Sequence, residues 1–220
     1  MKTVAIITAA GYGRRMGQPK QFLEIEGKPI LARTIAVFEQ TKIIDEIIVV
    51  VNQEDVERVK KFKYKKLKQV VAGGKERQDS VYNGLRALPA DTEIVAIHDG
   101  ARPFISPEII EQSVDEALEV GAVVVGVPVK DTIKKVASSQ VVSSQDRNEL
   151  WAAQTPQVFK KDIILKAYEA QAQAQVTDDA MLVEKLGIPV KMVLGSYQNI
   201  KITTPSDLQM AQGILKGGKR

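Results

Sequence analysis

Short apolar runs recur along this chain, and stretches of helical period separate them. Val4–Thr8 reads as a buried first strand. Pro29–Gln40 reads as a helix, with Pro29 in its first turn and Ile30, Leu31, Ile35 and Phe38 along one face. Glu46–Asn52 contains the β-branched run Ile47–Val51, which is core-strand composition. A charged helix over Glu54–Phe62, a weaker strand over Leu67–Ala72 and a helix over Arg77–Leu88 follow. Thr92–His98 is a fourth strand. Ser106 is placed to cap a helix over Pro107–Val120, and Gly121–Val127 is a fifth strand. Buried strands alternating with helices predict an α/β fold, with a mostly parallel sheet covered on both faces.

The rhythm changes after Val127. The segment Lys130–Asn148 has no helical period and is rich in Ser, Gln, Lys and Asp. Ile133–Val136 and Gln140–Val142 flank a short polar turn, so the segment predicts a β-hairpin arm projecting from the sheet. Trp151–Val158 returns to the core. A helix over Lys160–Gln175 follows, then a helix over Asp178–Leu186 capped by Thr177. Strands over Pro189–Leu194 and Asn199–Thr203 precede a last helix from Pro205 to Leu215. No repeat or linker divides the 220 residues, which read as one domain.

Composition narrows the chemistry. Hydrophobic residues make up 44% and charged residues 26%, which is ordinary globular usage. The net charge of +4 is spread along the chain; it suits small anionic substrates and does not require nucleic acid. With no cysteine and one histidine, thiolate catalysis, disulfides and histidine-rich metal sites are excluded. No apolar run reaches membrane-spanning length, and the first strand begins at once, so a cytoplasmic location is expected.

The first strand leads into Thr8-Ala-Ala-Gly-Tyr-Gly-Arg-Arg-Met-Gly-Gln-Pro-Lys-Gln21. Small residues there let the backbone approach a ligand, and Arg14, Arg15 and Lys20 add positive charge. A glycine-rich turn of this kind suits a polyphosphate. It is neither a P-loop nor a dinucleotide fingerprint, because Gly11, Gly13 and Gly17 are spaced one residue too long for the latter. Other charged and polar groups also fall at strand ends, where ligands of open α/β sheets sit. They include Arg77, Asp79 and Ser80 after Gly73-Gly74, then Asp99 and Arg102, and finally Lys201. His98 at its strand end reads as a structural hydrogen-bonding residue rather than a catalyst.

The segments Ala9–Gln21, Gly74–Ser80, His98–Pro103, Val129–Thr132, Asp146–Asn148, Gln154–Gln157, Thr177–Asp179 and Asn199–Ile202 occur in this order. Together they resemble the 2-C-methyl-D-erythritol 4-phosphate cytidylyltransferase family of the non-mevalonate isoprenoid pathway. The likeness implies a Rossmann-like nucleotidyltransferase domain. It also implies transfer of a cytidylyl group from CTP to methylerythritol phosphate, with Mg²⁺ held mainly by the CTP phosphates. By the same resemblance, Ala9, Ala10 and Gly11 bind nucleotide through backbone, and Gly74 and Ser80 recognise cytosine or ribose. Arg15 and Lys20 stabilise the transition state. Asp99, Arg102, Thr132 and Thr177 line the substrate pocket. Lys201 positions the substrate, and Arg147 reaches the neighbouring subunit of a homodimer formed through the 130–148 arm. Lys75 stands where some relatives have Asp. A ribitol 5-phosphate cytidylyltransferase is the nearest rival reading, and a non-catalytic nucleotide-binding protein is the rival outside enzymes.

Overall fold

A computed structural model of the chain describes residues 1–13, 16–17, 19–170 and 176–217. The strands are β1 (Thr3–Ala9), β2 (Glu24–Ile25), β3 (Lys28–Pro29), β4 (Glu46–Val51), β5 (Leu67–Ala72), β6 (Ile94–Asp99), β7 (Ala122–Pro128), β8 (Lys134–Ala137), β9 (Gln140–Ser144), β10 (Trp151–Lys160) and β11 (Lys191–Leu194). The helices are α1 (Ile30–Gln40), α2 (Val56–Lys60), α3 (Arg77–Arg86), α4 (Pro107–Val120), α5 (Lys161–Ala170), α6 (Ala180–Glu184) and α7 (Pro205–Gly217). The described residues build a seven-stranded sheet in the order β11-β7-β10-β6-β1-β4-β5. Its neighbours are parallel except around β10, which runs antiparallel to both β6 and β7.

Strand periodicity divides the core. Ala5, Ile7 and Ala9 of β1 face α1, α2 and α4, and bury Leu31, Phe38, Val59 and Val114 with them. Val4 and Ile6 face the other way, toward Val81 and Leu85 of α3, Ile164 and Tyr168 of α5, and Leu182 of α6. A central strand buried on both faces must be apolar throughout, which is why β1 and β4 read as unbroken runs. A smaller cluster of Ile25, Ile30, Ile202 and Ala211 ties the β2–β3 hairpin and α7 to the same edge.

Register aligns the functional edge. Ala9 pairs with Val51, Val51 with Ala72, and Thr8 with Asp99. The loops after β1, β5 and β6 therefore leave the sheet side by side.

Several elements differ from the pattern reading. The helix expected over Glu54–Phe62 is a 3₁₀ turn at Gln53–Asp55 followed by one short helix. The final part of the helix expected over Lys160–Gln175 lies outside the described residues. Asn199–Thr203 is not a strand: Ile200 N–H bonds back to the Gln198 carbonyl, and Ile202 N–H reaches Ala101 instead of a neighbouring strand. Thr177 does not cap α6. Gln157 Oε1 accepts the Asp179 and Ala180 N–H groups, and Asp178 Oδ1 accepts that of Met181, so those side chains satisfy the helix start. The arm is a hairpin, turning at Ser138 and Ser139 with φ of 49° and 63°. Two successive left-handed residues match the right-handed twist of the flanking strands without the usual Asn-Gly pair.

Candidate active site

The three adjacent loops and Lys201 enclose a cleft of about 340 Å³ at the carboxyl edge of the parallel strands. Ala9, Ala10 and Gly11 form one wall with Lys20. Gly74, Lys75 and Ser80 form the opposite wall, and Asp99 lies at the base with Arg77 and Lys201 beside it. Arg15 lies outside the described residues.

The two walls touch because neither carries bulk. A Cβ on Gly73 would lie 2.4 Å from Ala10 Cβ, and one on Gly74 would lie 2.2 Å from Asp79 Cβ. A Cβ on Gly11 would meet nothing within 4 Å, so that backbone faces open space. Gly13 and Gly17 have φ of 64° and 68°, as the tight path of the first loop requires.

Helix α3 opens onto the cleft with a capping box. Asp79 Oδ2 accepts the Glu76 N–H at 3.0 Å, and Glu76 accepts in return from the Asp79 backbone. Buried Ser80 accepts the Gly74 N–H at 3.1 Å and donates to the Glu76 carbonyl at 3.1 Å. Ser80 thus folds the loop that carries Gly74, and its one proton is used inside that loop.

Asp99 organises the charges. Its carboxylate, almost fully buried, receives three cations among the described residues. Lys201 Nζ is at 2.9 Å, Arg102 Nε at 3.3 Å and Arg77 Nε at 3.5 Å. Burial by itself would raise this carboxyl, but Lys201, Arg77 and Arg102 outweigh it and hold it well below the usual carboxylate range. Arg77 also forks onto Asp179, with Nη1 and Nη2 at 3.0 and 2.7 Å from its two oxygens. The buried Tyr168 hydroxyl donates to the same carboxylate at 2.6 Å. Burial lowers the Arg77 guanidinium, yet Asp179 and Asp99 together raise it above its ordinary value.

His98 has the structural role its position at a strand end implied. It is completely buried, tilted against the Phe38 ring at 4.9 Å. Its Nε2 is 3.1 Å from the Arg102 carbonyl, which can only accept, so Nε2 carries the proton. Burial first, and the Arg102 and Lys201 charges after it, push the imidazole down to about 4.

The residues expected at the site divide into two groups. Ala9, Ala10, Gly11, Lys20, Gly74, Ser80, Asp99 and Lys201 line one cleft, and Arg102 stands directly behind Asp99. Thr132, Arg147 and Thr177 are exposed and are not among the residues that line it. Arg147 donates to the Lys130 carbonyl at the root of the arm, at 3.3 Å, and the Thr177 hydroxyl lies 3.2 Å from Met181 Sδ. Pattern reasoning gave no role to Asp179, Gln157, Thr155 or Asn199, and it left Arg77 among the general charges. Polar residues in strands or just before a helix were the available signal, because a buried amide or carboxylate requires partners.

Comparison with known proteins agrees with this geometry. The family profile described as IspD, 2-C-methyl-D-erythritol 4-phosphate cytidylyltransferase, matches residues 3–217. A 2-C-methyl-D-erythritol 4-phosphate cytidylyltransferase of Alkaliphilus metalliredigens is 52% identical, over 99% of this chain and 95% of its own length. One of Clostridioides difficile is 50% identical over 98% and 94%. The crystal structure of the 4-diphosphocytidyl-2C-methyl-D-erythritol synthase of Anaerococcus prevotii superposes with a TM-score of 0.87 at 35% identity, covering 98% of this chain and 96% of that one. The full-length family match, the high identity and the superposition have one reading: this chain belongs to the 2-C-methyl-D-erythritol 4-phosphate cytidylyltransferase family and is a nucleotidyltransferase enzyme.

Proposed function

We propose that the cleft binds CTP and that the chain joins its cytidylyl group to 2-C-methyl-D-erythritol 4-phosphate. A phosphate oxygen of the alcohol phosphate attacks the α-phosphorus. The bond from that phosphorus to the bridging oxygen breaks, and pyrophosphate leaves with the electron pair. The observation that carries this reading is the placement of Lys20 and Lys201 around a single glycine-walled cleft. A phosphate nucleophile needs no serine, cysteine or histidine, so catalysis reduces to positioning and charge stabilisation.

In this reading the backbone at Ala9, Ala10 and Gly11 cradles the triphosphate, and the Gly74 loop folded by Ser80 meets cytosine and ribose. Arg15 and Lys20 meet the charge that develops on the α-phosphate. Lys201 orients the incoming phosphate, while Asp99 fixes Lys201 and Arg102. Mg²⁺ would enter with the nucleotide rather than in a protein cage. The described residues offer no cluster of three His, Cys, Asp or Glu to hold it, and a hydrated Mg²⁺ on phosphates needs few protein ligands. Bound there, it neutralises phosphate charge.

Thr132, Thr177 and Arg147 complete the alcohol-phosphate pocket, Arg147 acting in a homodimer where the arm crosses to a second copy. Support comes from Val136, Val141 and Val142, which are more than half exposed on a two-stranded hairpin that is marginal alone. No described helix is long and apolar enough to cross a membrane. Multiply charged substrates that do not cross bilayers unaided support a cytoplasmic location.

Pyrophosphate release with CTP and Mg²⁺ tests the function, with methylerythritol phosphate and ribitol 5-phosphate offered in parallel. Turnover preferring methylerythritol phosphate is expected. Preference for ribitol 5-phosphate would reassign the acceptor, and saturable CTP binding without turnover would overturn catalysis by the cleft.

A further inference from the structure

Four hydrogen bonds close a ring behind Asp99. His98 Nε2–H donates to the Arg102 carbonyl at 3.1 Å, and Arg102 Nη1 donates to the Asn199 carbonyl at 2.9 Å. Asn199 Nδ2 donates to the Thr155 carbonyl at 3.0 Å, and Thr155 Oγ1 lies 3.1 Å from His98 Nδ1. The direction of each bond is fixed. With the proton on Nε2, Nδ1 can only accept, so the Thr155 hydroxyl donates to it while accepting the Asp99 N–H at 3.0 Å. The Asn199 amide faces two acceptors, Gln154 Oε1 at 3.1 Å and the Thr155 carbonyl, so its nitrogen must be on that side. The ring draws on the end of β6, the turn after it, β10 and the segment before Lys201. His98, Thr155 and Asn199 are each at least 95% buried.

We infer that His98 and Thr155 are positioning residues for the alcohol-phosphate half of the site, acting through Asp99, Arg102 and Lys201. The inference rests on the reading of the cleft proposed above. Two of the three cations on the Asp99 carboxylate are attached to the ring: Arg102 is a member, and Lys201 follows Asn199 by two residues, whereas Arg77 is held separately by Asp179. The ring also holds the Asp99 backbone. The loop that meets the nucleotide is closed by a different set, Ser80, Glu76 and Asp79. Loosening the ring therefore disorders the acceptor end and leaves the CTP end intact. A buried network with every direction specified is sensitive to the loss of one link.

Thr155→Val keeps the shape but removes both the donor to His98 and the acceptor for the Asp99 N–H. Thr155→Ser keeps both. Thr155→Val should lower kcat/KM for the alcohol phosphate about a hundredfold, with CTP affinity within about twofold, and Thr155→Ser should recover to within about fivefold. Equal loss of CTP affinity, or equal damage from Ser and Val, would overturn the inference. The chain has one histidine, so its ring nitrogens give unambiguous NMR signals. The full-length wild-type protein should show the neutral Nε2–H tautomer from about pH 5 to pH 8. An Nδ1–H tautomer, or titration near the ordinary histidine value, would also overturn it. That spectrum needs no turnover, so failure of the proposed reaction and failure of the ring are distinguishable.

Discussion

Lys201 Nζ lies 2.9 Å from Asp99 Oδ2, and the pair joins the segment before α7 to the end of β6. Lys201 is the least buried of the three cations on that carboxylate and, unlike Arg77 with its fork onto Asp179, has no second carboxylate partner among the described residues, which suits it to meet a ligand. Lys201→Met should lower kcat/KM for the alcohol phosphate about a hundredfold and leave CTP affinity nearly unchanged. Arg77 and Arg102 still neutralise Asp99, so thermal unfolding should move little. Steady-state kinetics with calorimetric CTP titration checks this, and a variant that loses CTP binding first would contradict it.

Lys20 lines the cleft beside Ala9, Ala10 and Gly11, the wall proposed to meet the nucleotide. In Lys20→Ala, single-turnover chemistry should fall by about a hundredfold or more, while the dissociation constant for CTP changes by less than about tenfold. Rapid-quench measurement at saturating CTP decides the matter: unchanged chemistry with weakened binding would move Lys20 from transition-state stabilisation to ground-state binding.

Breaking the fork between Arg77 and Asp179 should cost stability before chemistry. Among the described residues, Arg77→Met leaves the side chain of buried Asp179 with only the Tyr168 hydroxyl, a loss of about 3 kcal/mol. Adding Asp179→Asn should return part of that loss, because the orphaned charge is gone. Urea unfolding of the two single variants and the double variant measures the coupling.

His98 makes stability depend on pH in a defined window. Its folded value of about 4 lies below the ordinary 6.5, so the unfolded chain binds the extra proton. Stability from this group is complete above about pH 6.5 and is lost as pH falls toward 4, by roughly 3 kcal/mol in all. Asp99 and its cations face the ring, and Asp99 titrates well below this window. Denaturant melts of wild type at about pH 7 and pH 4.5 should show the loss, and His98→Gln should flatten it.

Mixed dimers test the arm. Lys20→Ala and Arg147→Ala subunits, each weak alone, should regain one competent site per heterodimer if Arg147 serves the neighbouring cleft. Purified heterodimers with no more activity than the parents would assign Arg147 to its own chain.

Most of the sheet was legible in the sequence because its central strands are buried on both faces, and unbroken β-branched runs have few other readings. Leu67–Ala72 and Pro107–Val120 have the expected bounds, the second because Ser106, Pro107 and the left-handed Gly121 mark both ends. Asn199–Thr203 failed because its alternation serves side chains and backbone groups that bond to loops, which periodicity does not distinguish from a ladder. Thr177 failed because Gln157, distant in sequence, supplies the acceptor for the start of α6. The cleft was legible where charge followed a strand end. The ring behind it was not, because Thr155 and Asn199 take their meaning from partners that only the folded chain brings together.

The contact between Gly73 and Ala10 constrains how this cleft can diversify. A single methyl group on residue 73 would press the walls apart, so that position admits no side chain without moving Ala10. Lys75, exposed on the same loop and opening onto the same cleft, carries no such restriction. An open position therefore stands two residues from a closed one, and a change of side chain can alter this wall of the cleft at 75 without moving its backbone.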